Sequence, residues 1–254
     1  MAFTVERGYG RMDKVNLIVC MAGYNTRFHD VGFDIPKYLL PWNGKTIIHD
    51  ILFNLGSTHQ TVLVANKRDV YFKEQLLETI APIGLNENNI LYIGDTKGQA
   101  HTAAIGMTQI EDTSLPIFVH NADTVVAGRK FDDVVQQMDN FYDVYVDVFV
   151  GNSPKYSYVR AYENIVTEIV EKKQISPYAS SGLYGFSSAN LYLNYYNNFV
   201  QEKEELYISD VIQGMINDNL RACMNGLGNY QDTLVLGSPQ EYGIEIARQK
   251  LGMR

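Results

Sequence analysis

Arg27 and Lys37 lie ten residues apart in a stretch that also holds Ala22, Gly23, Asn25, Thr26 and Pro36. Residues as small as Ala22 and Gly23 let backbone N–H groups approach an anion closely. Asn25 tolerates a left-handed backbone in such a turn, and Thr26 adds a hydroxyl. A guanidinium such as that of Arg27 grips phosphate oxygens in a two-pronged way that an ammonium cannot match. Pro36 stiffens the chain just ahead of Lys37, so that ammonium is held rather than carried on a free loop. One surface Arg or Lys alone reads as a solvated cation; the combination suits gripping a nucleoside triphosphate while its α-phosphate is attacked. The pattern is neither the Walker loop, which needs Gly-Lys-Ser/Thr opening a helix, nor the dinucleotide G-x-G-x-x-G fingerprint.

The elements that must position these groups are legible around them. Val15 to Cys20 is a short apolar run, expected as a strand buried on both faces. Leu39, Leu40, Pro41 and Trp42 read as an anchor into the core. Gly44 and Lys45 turn the chain into a helix over about Thr46 to Leu55, with Ile47, Ile48, Ile51, Leu52 and Leu55 at helical spacing. Further strands are expected at Thr61–Ala65, Ile90–Ile93 and Pro116–His120, alternating with helices at Arg68–Ile80 and Gln99–Met107. That alternation predicts an α/β fold with a doubly wound, mostly parallel, Rossmann-like sheet. Ligands in such sheets sit beyond the C-terminal strand ends, where both Ala22–Arg27 and Asn121–Asp123 fall. From Asp143 the chain turns β-rich. Strands are expected at Val144–Val150 and Ser181–Phe186, and a hairpin of Tyr156–Tyr162 with Ile165–Val170 turns at Glu163-Asn164. Helices follow at Leu191–Val200, Tyr207–Asn217 and Glu241–Leu251.

With those residues in view, the chain resembles the sugar-phosphate nucleotidyltransferases, the nucleotide-sugar pyrophosphorylases. Their signature runs apolar strand, A-G-G-x-G-T-R, a gap, P-K-x-L-x-P and a Gly-Lys turn. The chain offers Ala22-Gly23-Tyr24-Asn25-Thr26-Arg27, Pro36-Lys37-Tyr38-Leu39-Leu40-Pro41 and Gly44-Lys45, with Tyr24 and Asn25 in place of two usual glycines. Gly98-Gln99-Ala100, His120-Asn121-Ala122-Asp123, Glu171-Lys172, Ser181–Phe186, Glu205–Asp210 and Leu236-Gly237-Ser238-Pro239 continue the resemblance in order. A branch associated with capsule and surface-polysaccharide genes is the most similar in pattern.

The resemblance implies the nucleotide-diphospho-sugar transferase type of fold, and roles for individual residues. Arg27 would hold the leaving β- and γ-phosphates and Lys37 the α-phosphate. Ala22, Gly23, Tyr24, Asn25, Thr26, Gly98, Gln99, Ala100 and Asn121 would line the nucleotide. Asp123 would bind Mg2+. Lys172 would grip the acceptor's phosphate, oriented by Glu171, with Gly182 on the same side. In the family's W-x-D-x-G, a second metal-binding Asp stands two residues before the terminal Gly; here that position is Val235, and Asp232 is the carboxylate nearby in sequence. The implied activity moves a nucleoside monophosphate from an NTP to a sugar 1-phosphate or similar small phosphorylated acceptor, for surface polysaccharide precursors. Two rival readings share the fold. A glycosyltransferase normally carries a D-x-D-like motif, against the single Asp of Asn121-Ala122-Asp123. A non-catalytic nucleotide-sugar sensor is motivated by Val235.

Composition narrows the partners. Across 254 residues the net charge is −8 and 46% of residues are hydrophobic, so a sizeable core is available. No basic stripe suits a nucleic-acid backbone, and no apolar run reaches membrane-spanning length. Cys20 and Cys223 lack metal-binding spacing and are expected as packed, reduced thiols. The expected compartment is the cytoplasm. Residues 1–13 read as an N-terminal extension and 14–254 as one domain, with 14–142 the nucleotide-binding half and 143–254 the β-rich acceptor-binding half. Tyrosine is abundant, and a cluster at Tyr192, Tyr195 and Tyr196 reads as packing or a subunit contact; a homo-oligomer is compatible with this.

Overall fold

The computed structural model describes residues 12–199, 204–228 and 232–253. Nine strands form one sheet: β1 Met12–Met21, β2 Thr58–Asn66, β3 Ile90–Ile93, β4 Ile117–Asn121, β5 Val144–Val150, β6 Tyr158–Tyr162, β7 Ile165–Val170, β8 Tyr178–Phe186 and β9 Ala222–Gly228. Their spatial order is β3-β2-β1-β4-β8-β5-β9-β7-β6. The first four are mutually parallel, β8 runs against both β4 and β5, β9 is parallel to β5, and β7 and β6 complete the edge in antiparallel fashion. Only β7 and β8 therefore oppose the common direction, and the sheet is α/β and mostly parallel, as the strand–helix alternation predicts.

Register places the site. Cys20 lies opposite Asn121 of β4, and Met21 opposite Ala65 of β2. The loops leaving β1, β2 and β4 therefore emerge side by side at one edge. Along β1, Leu17 and Val19 join the core on one face and Ile18 the core on the other, because successive side chains of a strand alternate. The first face is covered by helices Ile47–Leu55 and Phe131–Asn140, the second by helices Gln99–Met107, Ala189–Phe199 and Ile208–Asn217. Gly106 lets helix Gln99–Met107 sit close to the sheet: a Cβ there would stand 2.7 Å from Val64 Cγ2 and 2.9 Å from Ile18 Cγ2.

The helix Ile47–Leu55 shows which effect dominates locally. Thr46 Oγ1 accepts the His49 N–H at 3.3 Å as N-cap, a device of about 1 kcal/mol. Ile47, Ile48, Ile51 and Leu55 are fully buried, each contributing roughly 1.5–3 kcal/mol of apolar burial. Packing, not capping, holds this helix.

Several elements depart from expectation. Met12 and Asp13, read as part of an extension, already belong to β1; residues 1–11 lie outside the described residues, as does Val200 at the end of an expected helix. The expected helix Arg68–Ile80 is a tight 3₁₀ turn over Lys67–Phe72 followed by an α-helix over Lys73–Ile80, Asn66 Oδ1 capping the tight turn through the Arg68 N–H. The helix Phe131–Asn140, the strand β9 and a two-stranded ribbon of Thr124–Val126 with Thr233–Val235 have no counterpart in the sequence reading. Among the described residues no helix is long and apolar enough to cross a membrane.

Candidate functional site

The turn after β1 is built on Asn25, which takes a left-handed φ of 58° and precedes the single helical turn Thr26–His29. Its Nδ2 donates to the Ile35 carbonyl at 3.1 Å, tying the turn to the segment that carries Lys37. Phe28 is buried against Phe33 and Tyr242, which leaves Arg27 on the exposed side. Beside Gly23, nothing lies within 4 Å of where a Cβ would point, so this face of the loop is open. Lys37 sits in a 3₁₀ turn over Lys37–Leu39, fixed by buried Pro36, Tyr38, Leu39, Leu40 and Trp42.

Lys37 Nζ donates to Asp123 Oδ2 at 2.5 Å, across 86 residues of sequence. Asp123 follows β4, its carbonyl accepts the Leu236 N–H at 2.7 Å, and Thr124 Oγ1 donates to its Oδ1. Burial pushes the Asp123 carboxyl up, but the Lys37 ammonium outweighs it and holds the group below the usual carboxylate range. The candidate catalytic cation and the candidate metal ligand that the sequence separates are one ion pair in the fold.

On the other side of β4, Asn121 Oδ1 accepts from Gln99 Nε2. The Asn121 amide occupies the space where a Cβ of Gly182 would stand, and Gly182 itself has φ +87°. Gly182→Ala therefore strains the backbone and displaces Asn121; about 2 kcal/mol or more of stability is lost, read from thermal unfolding. Gly98 has φ +107°, and a Cβ there would stand 2.7 Å from the Leu206 carbonyl. His120, with no exposed surface, places Nε2 2.7 Å from the Thr124 carbonyl, and burial lowers its pKa; it is a neutral structural residue at neutral pH.

Glu171 and Lys172 have different partners. Glu171 does not hold Lys172 by a hydrogen bond: its Oε2 accepts from Ser157 and Ser209. Lys172, at φ 55°, donates to Tyr207 Oη at 2.5 Å and lies 4.3 Å from that ring's centroid. The left-handed backbone at Lys172 turns its side chain toward Tyr207 while Glu171 stays at the sheet. Lys172 nevertheless shares the segment Glu205–Tyr207 with the nucleotide-side loop, since the Leu206 N–H donates to the Lys97 carbonyl.

Asp232 lies away from Asp123. Val235 stands opposite Thr124 in the ribbon, beside Asp123, whereas the Asp232 carbonyl receives the Ala127 N–H at the opposite end. Three residues of strand put it about 10 Å away. A different carboxylate is at hand: a Cβ on Gly237 would lie 3.0 Å from Asp123 Oδ2 and 3.8 Å from Glu241 Oε2. Glu241 was missed in sequence because Ser238-x-x-Glu241 reads as a helix-capping box.

A second group was missed at the ends of β2 and β3. Asp95 Oδ1 accepts from Asn66 Nδ2 at 3.1 Å and Arg68 Nη2 at 2.7 Å, while Arg68 lies over the Tyr24 ring at 4.3 Å. The rule that ligands gather at C-terminal strand ends marks this place, although no motif does. A cavity of about 360 Å³ lined by Ile35, Leu39, Lys45, His49 and Glu78, among others, includes none of the candidate residues. Tyr192 and Tyr196 are buried and stacked on each other, and Tyr195 Oη donates to Asp218. Burial raises the pKa of both thiols, that of Cys223 to about 12.

The donor set suits a hard divalent cation. Asp123 supplies a carboxylate, Gly237 leaves room beside it, and the Lys37 ammonium already stands against the same oxygen. Among the described residues no cluster of three or more His, Cys, Asp or Glu occurs, but Mg2+ is commonly held by one or two carboxylates with substrate phosphates completing the shell.

A mostly parallel α/β sheet thus carries an open small-residue loop, an exposed Arg and a Lys–Asp pair at one edge. The family model for nucleotidyl transferases matches residues 17–242, and the chain belongs to that family. A nucleoside-diphosphate-sugar pyrophosphorylase from Vibrio cholerae RC9 superposes with a TM-score of 0.75 at 26% identity, covering 90% of this chain and 98% of that one. A probable molybdenum cofactor guanylyltransferase of Bacillus anthracis is 31% identical over 159 residues, 62% of this chain and 72% of that protein. Mannose-1-phosphate guanyltransferase beta-B of Xenopus laevis is 28% identical over 183 residues, 68% of this chain but 50% of its own length. The chain is a nucleotidyltransferase enzyme of the sugar-nucleotide pyrophosphorylase type.

Proposed function

We propose that this enzyme transfers GMP from GTP to a small phosphate monoester, a sugar 1-phosphate in the first instance, and releases pyrophosphate. A phosphate oxygen of the acceptor attacks the α-phosphorus, the bond from that phosphorus to the β-bridging oxygen breaks, and pyrophosphate carries the electron pair away. The observation that carries the reading is the Lys37–Asp123 pair beside the open Gly23 loop. Positioning and charge neutralisation supply most of the catalysis in such transfers. Arg27 would meet the β- and γ-phosphates and Lys37 the α-phosphate, where charge builds in the transition state. Backbone around Ala22, Gly23 and Gly98, with Thr26, Gln99 and Asn121, would hold the nucleotide. Lys172 would meet the acceptor's phosphate by leaving Tyr207, while Glu171 and Gly182 shape that side. Mg2+ on Asp123 would add Lewis-acid neutralisation of the phosphate oxygens.

The names of the curated relatives described above favour guanine, since each transfers a guanylyl group by name. Supply of activated sugars to a surface polysaccharide remains part of the same proposal.

The test is pyrophosphate release with each of GTP, ATP, CTP, UTP and dTTP, against mannose 1-phosphate, other hexose 1-phosphates and the molybdenum cofactor. Release that requires both GTP and a sugar 1-phosphate is the expected result. A preference for UTP or CTP removes the guanine assignment, and release with the molybdenum cofactor alone removes the sugar.

A further inference from the structure

The position that carries a second carboxylate in the family pattern is Val235, and the Asp232 side of the ribbon lies too far from Asp123 to replace it. We infer that Glu241 supplies that second carboxylate, so that Asp123 and Glu241 together form the divalent-cation seat of this enzyme. The inference rests on the nucleotidyl-transfer reading above.

Three features point to Glu241. First, Asp123 Oδ2 and Glu241 Oε2 lie near one point, 3.0 and 3.8 Å from where a Cβ of Gly237 would stand. A side chain on residue 237 would crowd both oxygens, and the glycine leaves that point clear. Second, both carboxylates already face cations. Lys37 Nζ is 2.5 Å from Asp123 Oδ2, and Lys155 Nζ is 3.9 Å from Glu241 Oε1. The corner is thus arranged for positive charge on each oxygen pair. Third, Glu241 reaches this corner from a fixed base. It is the third residue of helix Pro239–Lys250, and its Oε2 accepts from the N-cap Ser238 Oγ at 2.6 Å while its own N–H donates to that hydroxyl. The helix Pro239–Lys250 is tied to the Lys37 segment through Tyr242 Oη, which donates to the Pro41 carbonyl at 2.8 Å. A carboxylate so placed comes from the helix after the terminal glycine rather than from the strand before it, and the substitution at Val235 costs the site no charge.

Glu241→Gln separates the metal role from the structural one, because glutamine serves the same capping position. The measurement is Mn2+ uptake, followed by the electron paramagnetic resonance signal of free Mn2+, with protein and the unreactive α,β-methylene analogue of GTP. Wild type is expected to bind Mn2+ together with the nucleotide more tightly than the nucleotide alone does. Glu241→Gln is expected to weaken that uptake about tenfold or more at an unchanged thermal midpoint, and Asp123→Asn to weaken it as well. Uptake by Glu241→Gln equal to wild type, in the titration where Asp123→Asn is impaired, overturns the assignment of Glu241. The wild-type titration is repeated with the corresponding analogues of ATP, CTP, UTP and dTTP, and a protein that takes up no Mn2+ with any of the five overturns the nucleotidyl-transfer reading itself and this seat with it.

Discussion

Lys37→Ala lowers turnover by roughly two to three orders of magnitude or more, the scale for removing one preorganised group that meets developing transition-state charge. The fold survives the change, because the turn holding Lys37 is anchored by Tyr38, Leu39, Leu40 and Trp42 rather than by its ammonium. Trp42 is the sole tryptophan and is 1% exposed, so unaltered emission from the variant reports an intact turn. A pH signature accompanies the loss. In the wild type Lys37 holds the Asp123 carboxyl below its ordinary value against the opposing effect of burial. That depressed pKa contributes stability above the unfolded carboxylate value and loses it as the pH falls through the folded value. Without Lys37, burial, the largest influence on this carboxyl, is opposed only by the Thr124 hydroxyl and by His120, and the folded pKa rises. The variant is then less stable than wild type at neutral pH, and the gap narrows on acidification below the carboxylate range. Denaturant midpoints across pH measure this, and pyrophosphate release measures turnover. Wild-type turnover in Lys37→Ala would remove this residue from the reaction.

The largest effect on stability belongs to Asp147→Ala. Asp147 and Arg129 are buried, with side-chain exposures of 0% and 3%. Arg129 Nε lies 2.8 Å from Asp147 Oδ1, Nη2 donates to Thr233 Oγ1 at 2.6 Å, and Nη1 donates to the Ala127 carbonyl. Tyr145 Oη also donates to Asp147. Removing the aspartate leaves a guanidinium in the core without its anion, which costs ~3–5 kcal/mol and lowers the melting temperature by roughly 10 °C for a chain of this size. Replacing both partners with apolar residues, Arg129→Met with Asp147→Leu, recovers much of the loss, because the penalty comes from the stranded charge rather than from a missing attraction. A double variant no more stable than Asp147→Ala would contradict that account. The network joins β5 to the ribbon that leaves Asp123, so the single variant also loosens the site.

Sequence legibility followed burial and periodicity. Ile90–Ile93, Val144–Val150, Ile165–Val170 and helix Gln99–Met107 were legible to the residue, each being a dense apolar or small-residue run between clear breaks. The ribbon strands Thr124–Val126 and Thr233–Val235 are three residues each, too short for a period-two pattern to emerge. Helix Phe131–Asn140 opens with Asp132 and Asp133 and reads as a polar connection until its buried Phe131, Val134, Val135 and Met138 are seen on one face. In the site, Arg27, Lys37 and Asp123 announce themselves through motifs at strand ends. The ion pair between the last two does not, because nothing local links positions 37 and 123. Glu241, Asp95 and the Lys172–Tyr207 contact depend in the same way on which loops the sheet order brings together.

The ribbon also orders events in time. β1 to β4 and their loops are complete by residue 121, and their contacts are comparatively local. The Asp123 carbonyl finds its Leu236 partner only after the chain between residues 123 and 236 has been brought back, a closure whose entropy must be met before the contact gives any return. The loops after β1 and β4 therefore precede the acidic corner along the chain, and the corner is complete only once the stretch carrying Leu236, Gly237 and Glu241 has returned to Asp123.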